Sequence, residues 1–225
     1  MSTTYRRISY SLRIMLSGSL WGAFLISILL AMCISHPKWI GLEQRDLHTL
    51  TFLMLLVMPV IAIVIFANSF AEELEERLPR LLYAYPFKML YVILERIGLC
   101  LILLLISFTI SIIGGYLGGI PLSWQDVNYV AWRIFPASLF LGALSLLVSL
   151  LGRNMLAGLG AGIGYWFIEM TTQGQWTGKI FLFQFIWPVA AATSQIENSL
   201  YLLLLGLALF TAAIFLFHKA RAWFV

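Results

Sequence analysis

Charged residues are scarce in this chain of 225 residues. Asp, Glu, Lys and Arg together make up 11% of it, whereas hydrophobic residues make up 61% and the mean hydropathy is +0.94. A water-soluble domain of this length needs more polar surface than this to cover itself. The composition therefore excludes a soluble globular protein and indicates an integral membrane protein.

Cysteine and histidine are also rare, with two and three residues. Cys33 and Cys100 fall near opposite ends of their apolar segments, so neither a disulfide nor a metal framework is expected. The sequence contains no G-x-x-x-x-G-K-[ST] phosphate-binding loop. We therefore expect no catalytic residue, no metal site and no bound cofactor on this chain, and any ATP-driven activity would need a separate ATPase chain.

Helix-length apolar segments are what the chain has in abundance. A membrane-spanning helix needs roughly 20 mostly apolar residues to cross ~30 Å of hydrocarbon. The segments lack the alternation of barrel strands, and backbone groups in lipid must bond internally, so helices are predicted. The sequence predicts an all-α integral membrane protein, one transmembrane domain over 1–225, with spans at 14–34, 50–70, 91–113, 127–151, 155–170 and 200–217.

The distribution of Lys and Arg predicts the orientation of these six spans. With both chain ends on one side, that side collects most of the basic residues, and cytoplasmic loops carry such an excess. The predicted cytoplasmic set is Arg6, Arg7, Arg13, Arg77, Arg80, Lys88, Arg96, Arg153, Lys219 and Arg221, against Lys38, Arg45, Arg133 and Lys179 outside. Topology thus explains the net charge of +4, and no nucleic-acid partner is expected.

The stretch FAEELEERLPRLLYAYPFKML, residues 70–90, is the only one with dense charge. It forms the longest predicted cytoplasmic loop, 71–90, and a helix there would pair Glu73 with Arg77 and Glu76 with Arg80. Pro79 predicts a break near Leu78. The mixture of charge with Leu, Tyr and Phe favours a docking surface, and the alternative is a solvated connecting loop.

The order E-E-L-E-E-R … L-L-Y-A-Y-P-F … L-E-R after the second span resembles the membrane subunits of type 2 ABC exporters. In that family this element is the first coupling helix and plugs into the ATPase subunit. The departure is Leu78-Pro79, where relatives commonly have Gly-Thr or a similar pair. The resemblance implies ATPase-coupling roles for Glu72, Glu73, Glu75, Glu76, Arg77, Arg80, Tyr83 and Tyr85.

The same resemblance implies the setting in which the chain works. It implies a permease in a bacterial cell membrane, with cytoplasmic termini and a partner ABC ATPase dimer that holds ATP and Mg²⁺. A second permease copy is expected, and a homodimer is the default because two-fold assemblies are commonest. The expected substrate is amphipathic, for example a peptide, a drug or a lipid-like molecule.

The N-terminal segment 1–13 is predicted to lie in the membrane interface. Tyr5, Ile8 and Leu12 form an apolar stripe at helical spacing, while Arg6 and Arg13 lie off it. The family resemblance implies a connecting helix here. A basic tail that only fixes topology is the alternative.

Glycines recur at every second position of the fifth span. Gly158, Gly160, Gly162 and Gly164 give two overlapping small-x-x-x-small ridges, a pattern that lets helices approach closely in lipid. We expect these glycines to mediate helix packing. They either lie at a dimer seam, let the span flex during gating, or pack within the subunit.

The outer segment 171–199 is apolar but has too few residues before Pro188 to cross a membrane. It is predicted to form a re-entrant or surface-lying helical hairpin that caps the exit route, or an interfacial helix that anchors the fold. Arg133 and Glu169 are predicted near the same interface. We expect them to pair as an outer gate, within a subunit or across a dimer. Separate contact of each with outer water is the alternative.

Two other functional classes fit parts of the sequence. Glu72, Glu73 and Arg77 match the E-E-x-x-x-R motif of intramembrane CAAX-type proteases, but no histidine follows this motif at membrane depth. A channel or secondary transporter is the other alternative. Such proteins usually carry ionisable residues within their spans, and here these are confined to Glu95, Arg96, Arg133 and Glu169 near the interfaces.

Overall fold

The computed structural model describes residues 18–36, 46–71, 89–187 and 194–219 of the protein. These ranges contain no β-strand and form six α-helices: α1 (Gly18–Ser35), α2 (Leu47–Ala67), α3 (Met89–Leu117), α4 (Trp124–Gly152), α5 (Met155–Thr172) and α6 (Gln195–Lys219). Short 3-10 turns follow α2, at Asn68–Phe70, and α5, at Gly178–Ile180. The predicted all-α class is confirmed for this part of the chain.

Each predicted span falls on one of the six helices, with ends that differ by a few residues. Four of them are long and apolar enough to cross a membrane, over Leu47–Phe70, Leu90–Leu117, Trp124–Gly152 and Gln195–Phe217. α1 contains a shorter apolar stretch, Trp21–Ser35, and α5 has 18 residues. Crossing of the membrane by all six helices therefore stays a prediction.

The two ends of the helical bundle are named here after the predicted orientation. At the outer end α1, α3 and α5 finish and α2, α4 and α6 begin, and at the inner end the reverse holds. A contact at the outer end shows this arrangement, since Ser35 Oγ at the end of α1 donates to the Gly114 carbonyl near the end of α3, at 2.7 Å. Phe70 and Phe217 meet at the inner end, with ring centroids 4.8 Å apart.

α2 and α4 form the centre of the bundle. Most of each is buried, whereas α3 and α6 leave most of their apolar surface exposed, as expected for helices that face lipid. α1 and α3 pack beside α2, and α5 and α6 pack beside α4. Close approach at the centre depends on Gly142, because a Cβ there would lie 2.5 Å from the Phe66 ring.

Polar residues define several helix ends. Asp46 caps α2 by accepting from the Thr49 amide at 2.8 Å, and Ser123 forms a capping box with Asp126 at the start of α4. Asn154 caps α5 through the Leu156 amide at 2.8 Å. These caps satisfy amides that have no partner inside their helix.

Buried hydroxyl groups bond back to their own helices. Ser27 donates to the Ala23 carbonyl at 2.8 Å, Thr51 to Leu47 at 2.7 Å, and Ser111 to Ser107 at 3.0 Å. Each bond joins residues four apart, which satisfies the hydroxyl without a partner from another helix. Such residues are therefore compatible with an apolar interior.

Candidate gate at the outer end of the bundle

Residues 173–187, called the outer cap below, connect α5 toward α6. The chain leaves α5 through three left-handed residues, Gln173 (φ 51°), Gly174 (φ 78°) and Gly178 (φ 54°). Gly174 is also required for packing, because a Cβ there would lie 2.5 Å from Cγ of Phe181. The predicted helical hairpin is wrong over this part, since the cap contains one 3-10 turn and no α-helix. Left-handed residues so closely spaced interrupt a right-handed helix.

An apolar and aromatic cluster holds the outer cap in the bundle. Phe181, Leu182 and Phe183 are at most 3% exposed. The Phe183 ring lies edge-on to Trp166 of α5, with centroids 6.1 Å apart. Asn198 of α6 donates to the carbonyls of Lys179 at 2.8 Å and Phe181 at 3.0 Å. The outer cap is thus bound to both α5 and α6.

Glu169 lies beneath the outer cap, one turn before the end of α5, and is completely buried. Its Oε2 accepts a hydrogen bond from the Leu182 amide at 3.3 Å. The hydroxyls of Tyr165 and Thr177 lie beside the carboxylate, but neither makes a hydrogen bond of good geometry. The carboxylate therefore joins α5 to the cap through a backbone amide.

Arg133 of α4 has a different set of partners. Its guanidinium donates to Gln195 Oε1 at 2.8 Å and to the Tyr129 carbonyl at 3.3 Å. It also lies over the Tyr129 ring, with Cζ 3.3 Å from the centroid, and 4.9 Å from the ring centroid of Phe185 in the cap. Arg133 thus links α4 to the start of α6 and to the cap.

The structure does not pair Arg133 with Glu169 within the subunit. The carboxylate accepts from Leu182, and the guanidinium donates to Gln195 and Tyr129. The intrasubunit form of the predicted pair is therefore wrong, because the two side chains point toward different neighbours although they lie at the same end. Pairing across a dimer stays a prediction.

The glycine ridge of α5 divides into two faces. A Cβ at Gly158 would overlap Ser149 Oγ and the Ser145 carbonyl, and one at Gly162 would lie 2.8 Å from Cγ1 of Ile63. Gly160 and Gly164 have no neighbouring atom within 4 Å of a built Cβ. Gly158 and Gly162 therefore pack inside the subunit against α4 and α2, and Gly160 and Gly164 face outward.

At the inner end, Arg96 of α3 is 1% exposed. Its Nη1 donates to the Ser69 carbonyl in the turn that ends α2, and its Cζ lies 4.8 Å from the Phe70 ring centroid. A cation is favoured at the carbonyl end of a helix by the helix dipole. This contact fixes the point at which α2 leaves the bundle.

Some predicted residues lie outside the described ranges. These are the N-terminal segment 1–13 and all the predicted coupling residues, Glu72, Glu73, Glu75, Glu76, Arg77, Arg80, Tyr83 and Tyr85. Only Ala71, Met89 and Leu90 of the predicted coupling region 71–90 are described. The coupling assignment thus remains a prediction.

Sequence reasoning missed several residues that contact Arg133, Glu169 or the outer cap. Tyr165 precedes Glu169 by four positions, a spacing that places both on one face of a helix, and this signal was available. Thr177, Gln195 and Asn198 carry no such signal, because only the folded path of the chain brings them close to the cap, Arg133 or Glu169.

The chain matches no protein-family model, no curated protein sequence and no solved structure.

Proposed function

We propose that this protein is the membrane-spanning subunit of an ATP-driven exporter. In this proposal it moves an amphipathic substrate, such as a peptide, a drug or a lipid-like molecule, across the cell membrane. A separate ABC ATPase binds ATP and Mg²⁺ and hydrolyses the ATP. Support comes from the resemblance carried by residues 72–96 and from six helices that coincide with the six predicted spans.

The contact between Arg96 and Ser69 is the observation that carries this proposal. The acidic run that begins at Glu72 directly follows the α2 turn that Arg96 holds, and the chain returns to the bundle in α3, which bears Arg96. A force on residues 72–88 would therefore reach α2 and α3 together. This is the connection that an ATPase-coupling element needs to move a bundle.

The outer cap is the element that would open for export. It lies at the end of the bundle opposite Arg96, and it is bonded to neighbouring elements through Glu169, Asn198 and Arg133. These contacts are polar or ring interactions that can break without unfolding a helix. We assign Glu169 and Arg133 to this gate through their contacts with the cap.

The outward face of α5 is our proposed seam for a homodimer. Gly160 and Gly164 lie on it with Leu156, Ile163 and Phe167, which are 64%, 44% and 60% exposed. Small residues flanked by large apolar ones favour close contact between helices in lipid. A second copy of this chain is proposed to cover this face.

Affinity purification of the tagged full chain from its own cells, after cross-linking, tests the proposed function. We expect an ATPase with a phosphate-binding loop to copurify. Lysine at Glu72, Glu73, Glu75 and Glu76 should abolish this copurification, whereas the control Glu197→Lys at the outer end should not. Absence of such an ATPase from the wild-type sample, or its undiminished recovery with the quadruple variant, would contradict the proposal.

A further inference from the structure

Three buried oxygen atoms lie together beneath the outer cap, and none of them makes a hydrogen bond of good geometry. They are Glu169 Oε1, the Tyr165 hydroxyl and Thr177 Oγ1. Both hydroxyl groups lie beside the carboxylate. Buried polar atoms in folded proteins are almost always satisfied by protein, water or an ion. Together with Glu169 Oε1, these two hydroxyl oxygens therefore form a candidate site for a small ligand.

The charge of Glu169 indicates which kind of ligand is favoured. The side chain has 0% exposure, and among the described residues no basic group forms an ion pair with it. A buried carboxylate without a positive partner is costly, and it is stabilised by taking up a proton or by binding a cation. A ligand with one positive charge fits this requirement.

The other charged and titratable groups at the outer end are engaged elsewhere. On α4, Arg133 contacts Tyr129 and Gln195. On α2, the His48 ring packs on Phe185, with centroids 5.1 Å apart. In the cap, Lys179 Nζ lies 5.9 Å from the Tyr201 ring centroid.

On α6, Glu197 caps its own helix by accepting from the Ser194 amide at 3.1 Å. Each of the facing elements α2, α4, α6 and the cap thus brings a titratable group, and each group has a partner other than Glu169. Any positive charge that neutralises Glu169 therefore comes from outside the described part of the chain.

We propose that Glu169, Tyr165 and Thr177 form a binding site for one small monovalent cation, Na⁺ or a proton, and that its occupancy holds the outer cap closed. Na⁺ would take Glu169 Oε1 and the two hydroxyl oxygens as ligands. A proton would reside on Oε1 and be donated to the Thr177 hydroxyl oxygen. In both cases the cation ties α5, which bears Glu169 and Tyr165, to Thr177 of the cap. This site goes beyond the proposed function and needs no ATPase.

Cysteine labelling at Leu182 tests the site on the purified full chain in nanodiscs. Leu182 is 3% exposed, so Leu182→Cys, on a background with Cys33→Ser and Cys100→Ala, reacts with maleimide only when the cap opens. Trp176→Cys is the control for thiol reactivity, because Trp176 is 78% exposed. Labelling is measured while NaCl replaces N-methyl-D-glucamine chloride at pH 8, and then from pH 8 to pH 5 without Na⁺.

A ligand that binds only the closed cap slows opening by a factor of 1 + [L]/Kd. At ten times the midpoint concentration, Leu182→Cys should therefore label about ten-fold more slowly, relative to the Trp176→Cys control. A saturable effect of Na⁺ at pH 8 identifies the ion as Na⁺. An effect of acid alone identifies it as a proton, since a closed state that binds more protons is favoured as pH falls. Labelling that responds to neither would overturn the proposal.

Three variants separate the site from a general effect on the fold. Glu169→Gln should make labelling insensitive to both Na⁺ and pH. Thr177→Val and Tyr165→Phe should raise the cation concentration at the midpoint, because each removes one ligand oxygen. Tyr201→Phe and Glu197→Gln, also at the outer end, should behave like wild type. A normal cation response in Glu169→Gln would also overturn the proposal.

Discussion

Arg96 and Glu169 are the two charged residues that the described part of the bundle buries below 2% exposure, and they lie at its opposite ends. Each is bonded by the backbone of a neighbouring segment. Arg96 donates to the Ser69 carbonyl at the end of α2, whereas Glu169 accepts from the Leu182 amide in the outer cap. In both cases a buried ion attaches a chain segment to the helical bundle.

The two ions differ in how completely their surroundings stabilise them. Arg96 also lies over the Phe70 ring, which in turn packs on Phe217 of α6, so Arg96 and Phe70 together connect α3, the turn after α2, and α6. Glu169 is bonded by one backbone amide of the cap, which contains no α-helix. We therefore expect the inner junction to be the firmer of the two, and the outer cap to open more readily.

The largest expected effect comes from overpacking the helix that carries Glu169. In Gly158→Val the new side chain would meet the Ser145 carbonyl, which is backbone and cannot turn away. We expect a loss of stability near the upper end of the ~1–3 kcal/mol typical of overpacking. Hydrogen exchange should then rise in α5 and the outer cap, and stay unchanged around Arg96.

Gly160→Val is the matched control for that variant, because a Cβ at Gly160 meets nothing within the subunit. We expect its hydrogen exchange to remain that of wild type, and the proposed dimer, measured by cross-linking, to weaken. Equal loss of stability in the two variants would contradict the assignment of the two glycine faces.

Removal of the inner cation should have the next largest effect. Arg96→Met keeps much of the side-chain length but leaves the Ser69 carbonyl without its donor, at a cost of about 1–3 kcal/mol. Exchange should rise in residues 66–71 and remain unchanged in the outer cap. Arg96→Lys, which retains a donor, should show a smaller rise. A rise confined to the outer cap would refute the local role of Arg96.

The smallest expected effect concerns the cap of α2 at the outer end. Hydrogen bonds from the Thr49 backbone and side chain hold the pKa of the exposed Asp46 below its usual value, so its stabilisation is present above the usual carboxyl pKa and is lost as pH falls through the lowered value. Asp46→Ala should cost about 1 kcal/mol at pH 7. The difference from wild type in thermal unfolding should shrink below about pH 4. A difference that stays constant with pH would exclude the ionised cap.

The positions of the helices were predictable because each span is a long apolar run, and burial in lipid imposes helices on such runs. The path of the outer cap was not predictable from the sequence. Its aromatic stretch resembles a helix in composition, but the backbone at Gln173, Gly174 and Gly178 takes left-handed angles. A lone glycine in a sequence does not reveal the sign of its φ.

The sequence also did not predict the direction in which each side chain points around its helix axis. Arg133 and Glu169 were placed correctly near one end, yet Arg133 turns toward Gln195 and Glu169 toward Leu182. The four glycines of α5 form one repeating pattern in sequence, and only the packing distinguishes Gly158 and Gly162 from Gly160 and Gly164. The position of a residue along its helix follows from counting residues. The residues that its side chain contacts depend on tertiary packing.

The most direct test of the central claim is whether ATP at the inner end opens the outer cap. Nanodiscs that hold the Leu182→Cys chain with the proposed partner ATPase would be labelled with maleimide with and without ATP. We predict several-fold faster labelling with ATP, and loss of this ATP dependence in Arg96→Met although the ATPase stays bound. Labelling of Leu182→Cys that is the same with and without ATP, while the ATPase is active, would contradict the account.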